Sequence, residues 1–177
     1  MATAVVVYES LFGDAEKIAR AVADGLSGHL QVEVIAAKDA PRELGPDVRL
    51  LVVGGPNHAM SMPRPSTRKG AVEQYGAAVV ADPTTGLHEW LEAAAVPDGI
   101  SGAAFDTRMD HPKMITKLDH ASRTEEKLLR KLGATLAAPA EHFFVVDAKG
   151  PLADGEEDRA RQWGAALSEI VTAGSRR

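Results

Sequence analysis

The sequence predicts an α/β domain in which a parallel sheet of five strands is covered by helices on both faces. Three observations carry this reading. Ala4-Val5-Val6-Val7-Tyr8 is a continuous, β-branched apolar run, the pattern of a strand buried on both faces. After a Gly-containing break from Glu9 to Asp14, the spacing turns helical, with Ile18, Val22 and Leu26 at i, i+4 and i+8 and Ala15, Ala19 and Ala23 beside them. Further short apolar runs then alternate with helical stretches, and that alternation implies right-handed crossovers between parallel strands.

The elements follow in order. Gln31 to Ala36 alternates and reads as a second strand near a sheet edge. Pro41 to Asp47 holds two prolines and a glycine and leaves room for one helical turn at most. Leu50 to Val53 is the third strand, stopped by Gly54-Gly55-Pro56. Pro63 and Pro65 fix the chain after the next loop, and Ser66 to Gln74 is expected to be a helix capped by Ser66. Leu87, Trp90, Leu91 and Ala94 mark a helix packed on the sheet. Ala103-Ala104-Phe105 is a short fourth strand, ended by Asp106-Thr107-Arg108. Ser122-x-x-Glu125 reads as a capping box for a helix whose face is Leu128, Leu129 and Leu132, with Gly133 at its end. His142 to Val146 is the fifth strand. Asp154-x-x-Glu157 opens the last helix, with Ala160, Trp163, Gly164, Leu167, Ile170 and Val171 on its face.

Composition narrows the function. The chain has 177 residues, enough for one α/β domain with a proper core, expected over residues 1–173 with a frayed tail at 174–177. A net charge of −5 argues against nucleic acid as a general partner. The absence of cysteine excludes disulfides, thiol catalysis and iron–sulfur ligation. No apolar run approaches the length of a membrane span, and the N-terminus lacks a basic-then-apolar signal, so a cytoplasmic protein is expected. Nothing in the apolar pattern demands a dimer. No metal centre is expected: His111, Asp119 and His120 fall within ten residues but match no ligand spacing.

The strand–turn–helix around Gly13 aims the free N–H groups of a helix N-terminus at the carboxyl edge of the sheet, a place suited to a phosphate. With one glycine it is not G-x-G-x-x-G, and without Gly-Lys-Ser/Thr it is not a Walker loop. No Gly-x-Ser-x-Gly elbow is present, and Gly54 stands where a phosphorelay receiver needs an aspartate. Ser10-Leu11-Phe12-Gly13-Asp14-Ala15, directly after the first strand, resembles the phosphate loop of flavodoxins, [Ser/Thr]-x-Thr-Gly-x-Thr. Ser10 and Gly13 match; Phe12 and Ala15 replace hydroxyl residues, and Asp14 stands where a neutral amide is usual. Phe105-Asp106-Thr107-Arg108 is similar to the exit of strand 4 in flavodoxin-like quinone reductases and menaquinone-dependent oxidoreductases.

The resemblance implies a flavodoxin-like three-layer α/β/α sandwich of strand order 2-1-3-4-5, with a crevice between the loops after strands 1, 3 and 4. It implies FMN as cofactor, an unidentified redox partner protein, and electron transfer or flavin-dependent oxidoreduction. Ser10, Leu11, Phe12, Gly13, Asp14 and Ala15 would cradle the phosphate. Pro56, Asn57, His58 and Ala59, with Asp106, Thr107, Arg108 and Met109, would flank the ring, the flavin doing the redox chemistry with no acid–base residue on the protein. His58 is a candidate to stack on the ring, and Met60 and Met62 either line it or anchor the loop on the core. Phe12 is expected as a buried plug under the phosphate loop. Arg64, Arg68 and Arg108 are either phosphate partners or surface ion pairs.

Asp14, as N-cap, would itself accept the orphan N–H groups and compete with the phosphate. At ~5 Å and an effective dielectric of ~20, each unit of like-charge repulsion amounts to about 3 kcal/mol. The alternative function is therefore a flavodoxin fold with weak or lost FMN binding, serving as a ligand-binding or protein-interaction module.

Overall fold

The computed structural model describes residues 3–57, 61–76, 79, 82–110 and 121–174. Strand β1 (Thr3–Tyr8) is the axis of the molecule. It pairs in parallel with β2 (Gln31–Ala36) on one side and β3 (Val48–Pro56) on the other. Beyond β3 lies β4 (Ser101–Met109), also parallel. The far edge of β4 carries two short parallel strands: β5 (Thr135–Leu136) beside Ser101 and Gly102, and β6 (Glu141–Val145) beside Phe105 to Met109. The order β2-β1-β3-β4 with the fifth position outermost is the expected one. The fifth position is filled by two strands, because the segment 137–140, with Pro139 in it, interrupts the ladder.

Five helices are described besides these strands: α1 (Asp14–Leu26), α2 (Pro65–Tyr75), α3 (Leu87–Ala93), α4 (Ala121–Lys131) and α5 (Glu156–Gly174). One face of the sheet, with Val6, Leu50, Val52, Phe105 and Phe143, packs on α1 and α5. The other, with Val5, Val7, Leu51, Val53 and Ala104, packs on α3 and α4. Two cores on either side of one parallel sheet make the three-layer sandwich. The helices α1 and α5 touch backbone to backbone: a Cβ on Gly25 would sit 2.0 Å from the Arg161 carbonyl oxygen, and one on Gly164 would sit 2.2 Å from that of Val22.

Several expected boundaries move. The strands β3 and β4 run on through Gly54-Gly55-Pro56 and Asp106-Thr107-Arg108, because they pair with each other there, β4 also pairs with β6, and the ladder outweighs the loss of apolar character. Gly54 is needed within β3: a Cβ would sit 2.1 Å from the Phe105 ring. Helix α2 starts one residue earlier than expected, with Arg64 as N-cap and Pro65 as its first residue, and the Arg64 N–H donates to Thr67 Oγ1 at 2.8 Å. On α5, Ile170 is exposed and Ser168 is buried in the face instead.

Candidate functional site

The carboxyl end of β1 opens into a tight turn. The Glu9 N–H donates to the Gly54 carbonyl at 3.0 Å, extending the β1–β3 ladder by one bond. The Gly13 N–H then donates to Ser10 Oγ at 2.9 Å, closing the loop on itself. Gly13 has φ +103°, a left-handed conformation that favours glycine. Helix α1 begins at the next residue, and no side chain caps it. The N–H groups of Asp14, Ala15 and Glu16 occupy its first turn, where the helix itself offers no acceptor.

Two expectations for this loop are corrected. Asp14 is the first helical residue and not the N-cap. Its buried carboxylate lies near the backbone N–H of Leu152, and it packs so closely on Gly150 that a Cβ there would sit 2.2 Å from Oδ2. Burial raises the pKa of Asp14, against the pull of Lys17 and the Leu152 N–H. Second, the plug under the loop is Leu11, which is buried, while Phe12 is half-buried and meets Tyr75 of α2 edge-on at 5.2 Å. Lys149 Nζ lies 5.5 Å from the centre of the same Tyr75 ring.

Beside the loop, β3 ends at Pro56, and the Asn57 N–H donates to the Thr107 carbonyl at 2.8 Å. The side-chain Oδ1 of Asn57 is buried with no hydrogen-bond partner. His58, Ala59 and Met60 lie outside the described residues. Met62 is part of the core under α3, which decides for the anchoring role.

Asp106, Thr107, Arg108 and Met109 lie within β4 and do not form a loop. Asp106 is fully buried and accepts Arg108 Nε at 2.8 Å, with Arg108 Nη2 on its second oxygen. His142 Nδ1 lies 3.1 Å from Asp106 Oδ1. The sequence reads Arg108 as a phosphate partner or as a surface salt bridge to Asp106 or Asp110; the pair with Asp106 is formed, and it is buried and not on the surface.

Arg68 gives a larger correction, because it is fully buried. It donates to Glu9 through Nε at 2.8 Å and Nη2 at 3.0 Å, to the Pro63 carbonyl at 2.9 Å, and to Glu89 at 2.7 Å. Glu9 also accepts the Leu87 N–H at 2.8 Å. Burial works against the Arg68 charge, but the hydrogen bonds it donates to the two carboxylates, with their charges, raise its pKa. Charged residues 59 positions apart leave no periodic signal, so this network is invisible in sequence. Arg64 is exposed at the α2 N-cap.

On α4, Glu125 was expected in a capping box; the Ser122 side chain lies outside the described residues, and Glu125 faces the core. It is 1% exposed, and its Oε2 has no hydrogen-bond partner. Burial pushes its pKa well up, and Asp106 and Glu9 add to the effect. His111, Asp119 and His120 lie outside the described residues, and among those described no group of His, Asp and Glu is placed to hold a metal.

No protein-family model matches the sequence, and no curated protein matches it. Solved structures do match. An archaeal flavodoxin is 19% identical, over 96% of this chain and 99% of its own, with a TM-score of 0.66. A short-chain flavodoxin associated with a bacterial microcompartment is 15% identical over 97% and 99%, with a TM-score of 0.64. This is the flavodoxin fold. Rubredoxin oxygen:oxidoreductase from Desulfovibrio gigas is 13% identical with a TM-score of 0.60, this chain covering 36% of that one. In this fold the turn from Ser10 to Ala15 follows the first strand, and Asn57 follows the third.

Proposed function

We propose that the crevice binds FMN and that the protein acts in electron transfer or flavin-dependent oxidoreduction with a separate redox partner protein. The observation that carries this reading is the uncapped first turn of α1. Ser10 closes on Gly13, and the Asp14 side chain packs against Gly150 without capping the helix, so the N–H groups of Asp14, Ala15 and Glu16 are left for an anion. The residues fit a phosphate ester, because backbone donors survive the loss of the two hydroxyl side chains. Asn57, with its unpartnered Oδ1, fits a polar ring edge near the β3–β4 exit. When bound, FMN would supply the redox chemistry; the protein would bind, orient and shield it.

A second reading keeps the fold as a binding or interaction module with weak FMN affinity. It is favoured by Phe12 and Tyr75, which meet each other edge-on, and by Arg68 and Arg108, which are engaged by carboxylates. Absorption of the purified protein and titration of FMN fluorescence separate the two. Flavin bands, or saturable quenching at micromolar protein, support the first reading. A colourless protein indifferent to FMN rejects it.

A further inference from the structure

Glu125 has no part in the reading above, yet it lies under the ends of two strands that frame the crevice. The sheet register sets Glu9, Gly55, Asp106 and His142 in one row across β1, β3, β4 and β6. Val5, Val7 and Ala104 face α3 and α4, so by alternation Glu9 and Asp106 face the same side. Gly55, between them, has no side chain; a Cβ there would stand 3.6 Å from that of Glu9. Against this row α4 brings Glu125. Four carboxyl groups, Glu9, Glu89, Asp106 and Glu125, thus surround two guanidinium groups, Arg68 and Arg108. Among the described residues, the buried side-chain polar atoms without a partner are Asn57 Oδ1, Arg68 Nη1 and Glu125 Oε2. All three belong to this end of the sheet.

We propose that Glu125 is a buried proton site coupled to the crevice: it holds its proton when an anionic ligand is bound, and ligand affinity falls as it ionises. The choice of FMN as ligand rests on the reading above. With Glu125 neutral, Arg68 and Arg108 hold the carboxylates of Glu9, Glu89 and Asp106. Ionisation adds one more carboxylate, with an oxygen that no donor meets, in an interior where a buried charge is expensive. It repels Glu9, which precedes Ser10 and holds the Leu87 N–H, and Asp106, which holds Arg108. Among the described residues, the charged groups that act on Glu125 are Asp106 and Arg108 on β4, Glu9 at the end of β1, and Glu126 on its own helix. His142 on β6 acts through Asp106, and Arg68 on α2 and Glu89 on α3 act through Glu9. The proton balance is simple: ionisation releases one proton to solvent, and anion binding takes it back.

The ligand-free protein tests the proton site directly. A protonated-carboxyl infrared band is expected at neutral pH, shifted in heavy water and missing from Glu125→Gln; absence of that band overturns the proposal. The coupling is tested by FMN titration above about pH 7, where the phosphate ester is already a dianion. Wild-type affinity is expected to fall by about tenfold across the titration of the site, the change that corresponds to one pKa unit of coupling. Glu125→Gln, and Glu125→Met as a second neutral variant, are expected to bind with flat profiles; a profile like that of the wild type overturns the coupling. If the wild type binds no FMN at any pH, the FMN reading and the coupling fall together, and the infrared band still decides the proton site.

Discussion

Glu125 and Gly54 show how single residues set terms for the whole edge of the sheet. The Glu125 carboxyl titrates well above the ordinary value of 4.5 in the native state. Its contribution to stability is therefore present in full below the unfolded value and is lost as pH rises through the native one. Urea unfolding over a pH series should show wild-type stability declining in that window relative to Glu125→Gln, whose curve lacks this component. A wild type that gains stability over Glu125→Gln with rising pH would contradict the assignment. At Gly54 the constraint is steric. Gly54→Ala forces a methyl group onto the Phe105 ring, and overpacking of this kind lowers stability by about 1–3 kcal/mol. The midpoint of denaturant unfolding reports it, and an unchanged midpoint would mean that Phe105 can yield at no cost.

At the scale of elements, α2 and α3 are bound to the strand ends by charge as well as by apolar contact. Helix α2 buries only Ala71 and Arg68. Its attachment depends on the guanidinium that joins Glu9 to Glu89. Removing one partner of a buried pair strands the other, so Arg68→Met is expected to lose about 3–5 kcal/mol. Protease nicking between α2 and α3 should rise at the same time; a variant as stable and as resistant as the wild type would show that the network contributes nothing net. The close crossing of α1 and α5 is a second joint. Gly164→Ala must push the helices apart, because its Cβ would meet the backbone of Val22. A fall of about 1–3 kcal/mol is expected in thermal or urea unfolding. No loss would indicate that α5 can slide along its partner.

At the scale of the molecule, the order of elements and both faces of the sheet can be read from hydrophobic periodicity, since helix and strand spacings differ and the core follows them. The polar layer escapes such reading. Asp106 and Arg108 look like the end of a strand, because the ladder that holds them comes from β3 and β6, distant in sequence. Glu125 looks like a cap, because Ser-x-x-Glu is a local pattern and burial is not. Leu11 and Phe12 are adjacent apolar residues, and only the turn decides which is buried. Asp14 is legible as a charge at the turn after β1, but Gly150 and Leu152, which lie against its carboxylate, belong to the other end of the chain. This changes what is expected of Asp14→Asn. An amide keeps a carbonyl for the Leu152 N–H while removing a charge from the helix N-terminus, so FMN affinity should rise, by about tenfold or less. Fluorescence titration measures it, and weaker binding would mean that the link to Leu152 shapes the loop more than the charge opposes the ligand.

The divided fifth position of the sheet has a consequence for the life of the protein among other proteins. A long free strand edge is an invitation to pair with another chain. Here the outer edge is two residues of β5, an interruption that contains Pro139, and five residues of β6. Arg159 lies against its last stretch, with its guanidinium on the His142 carbonyl and 2.6 Å from Glu141. An incoming strand would meet a broken row of backbone groups, several already taken: the His142 carbonyl by Arg159, the Phe144 N–H by Glu156 and the Phe144 carbonyl by the Ala153 N–H. That side of the domain is poorly suited to growing a continuous sheet with its neighbours.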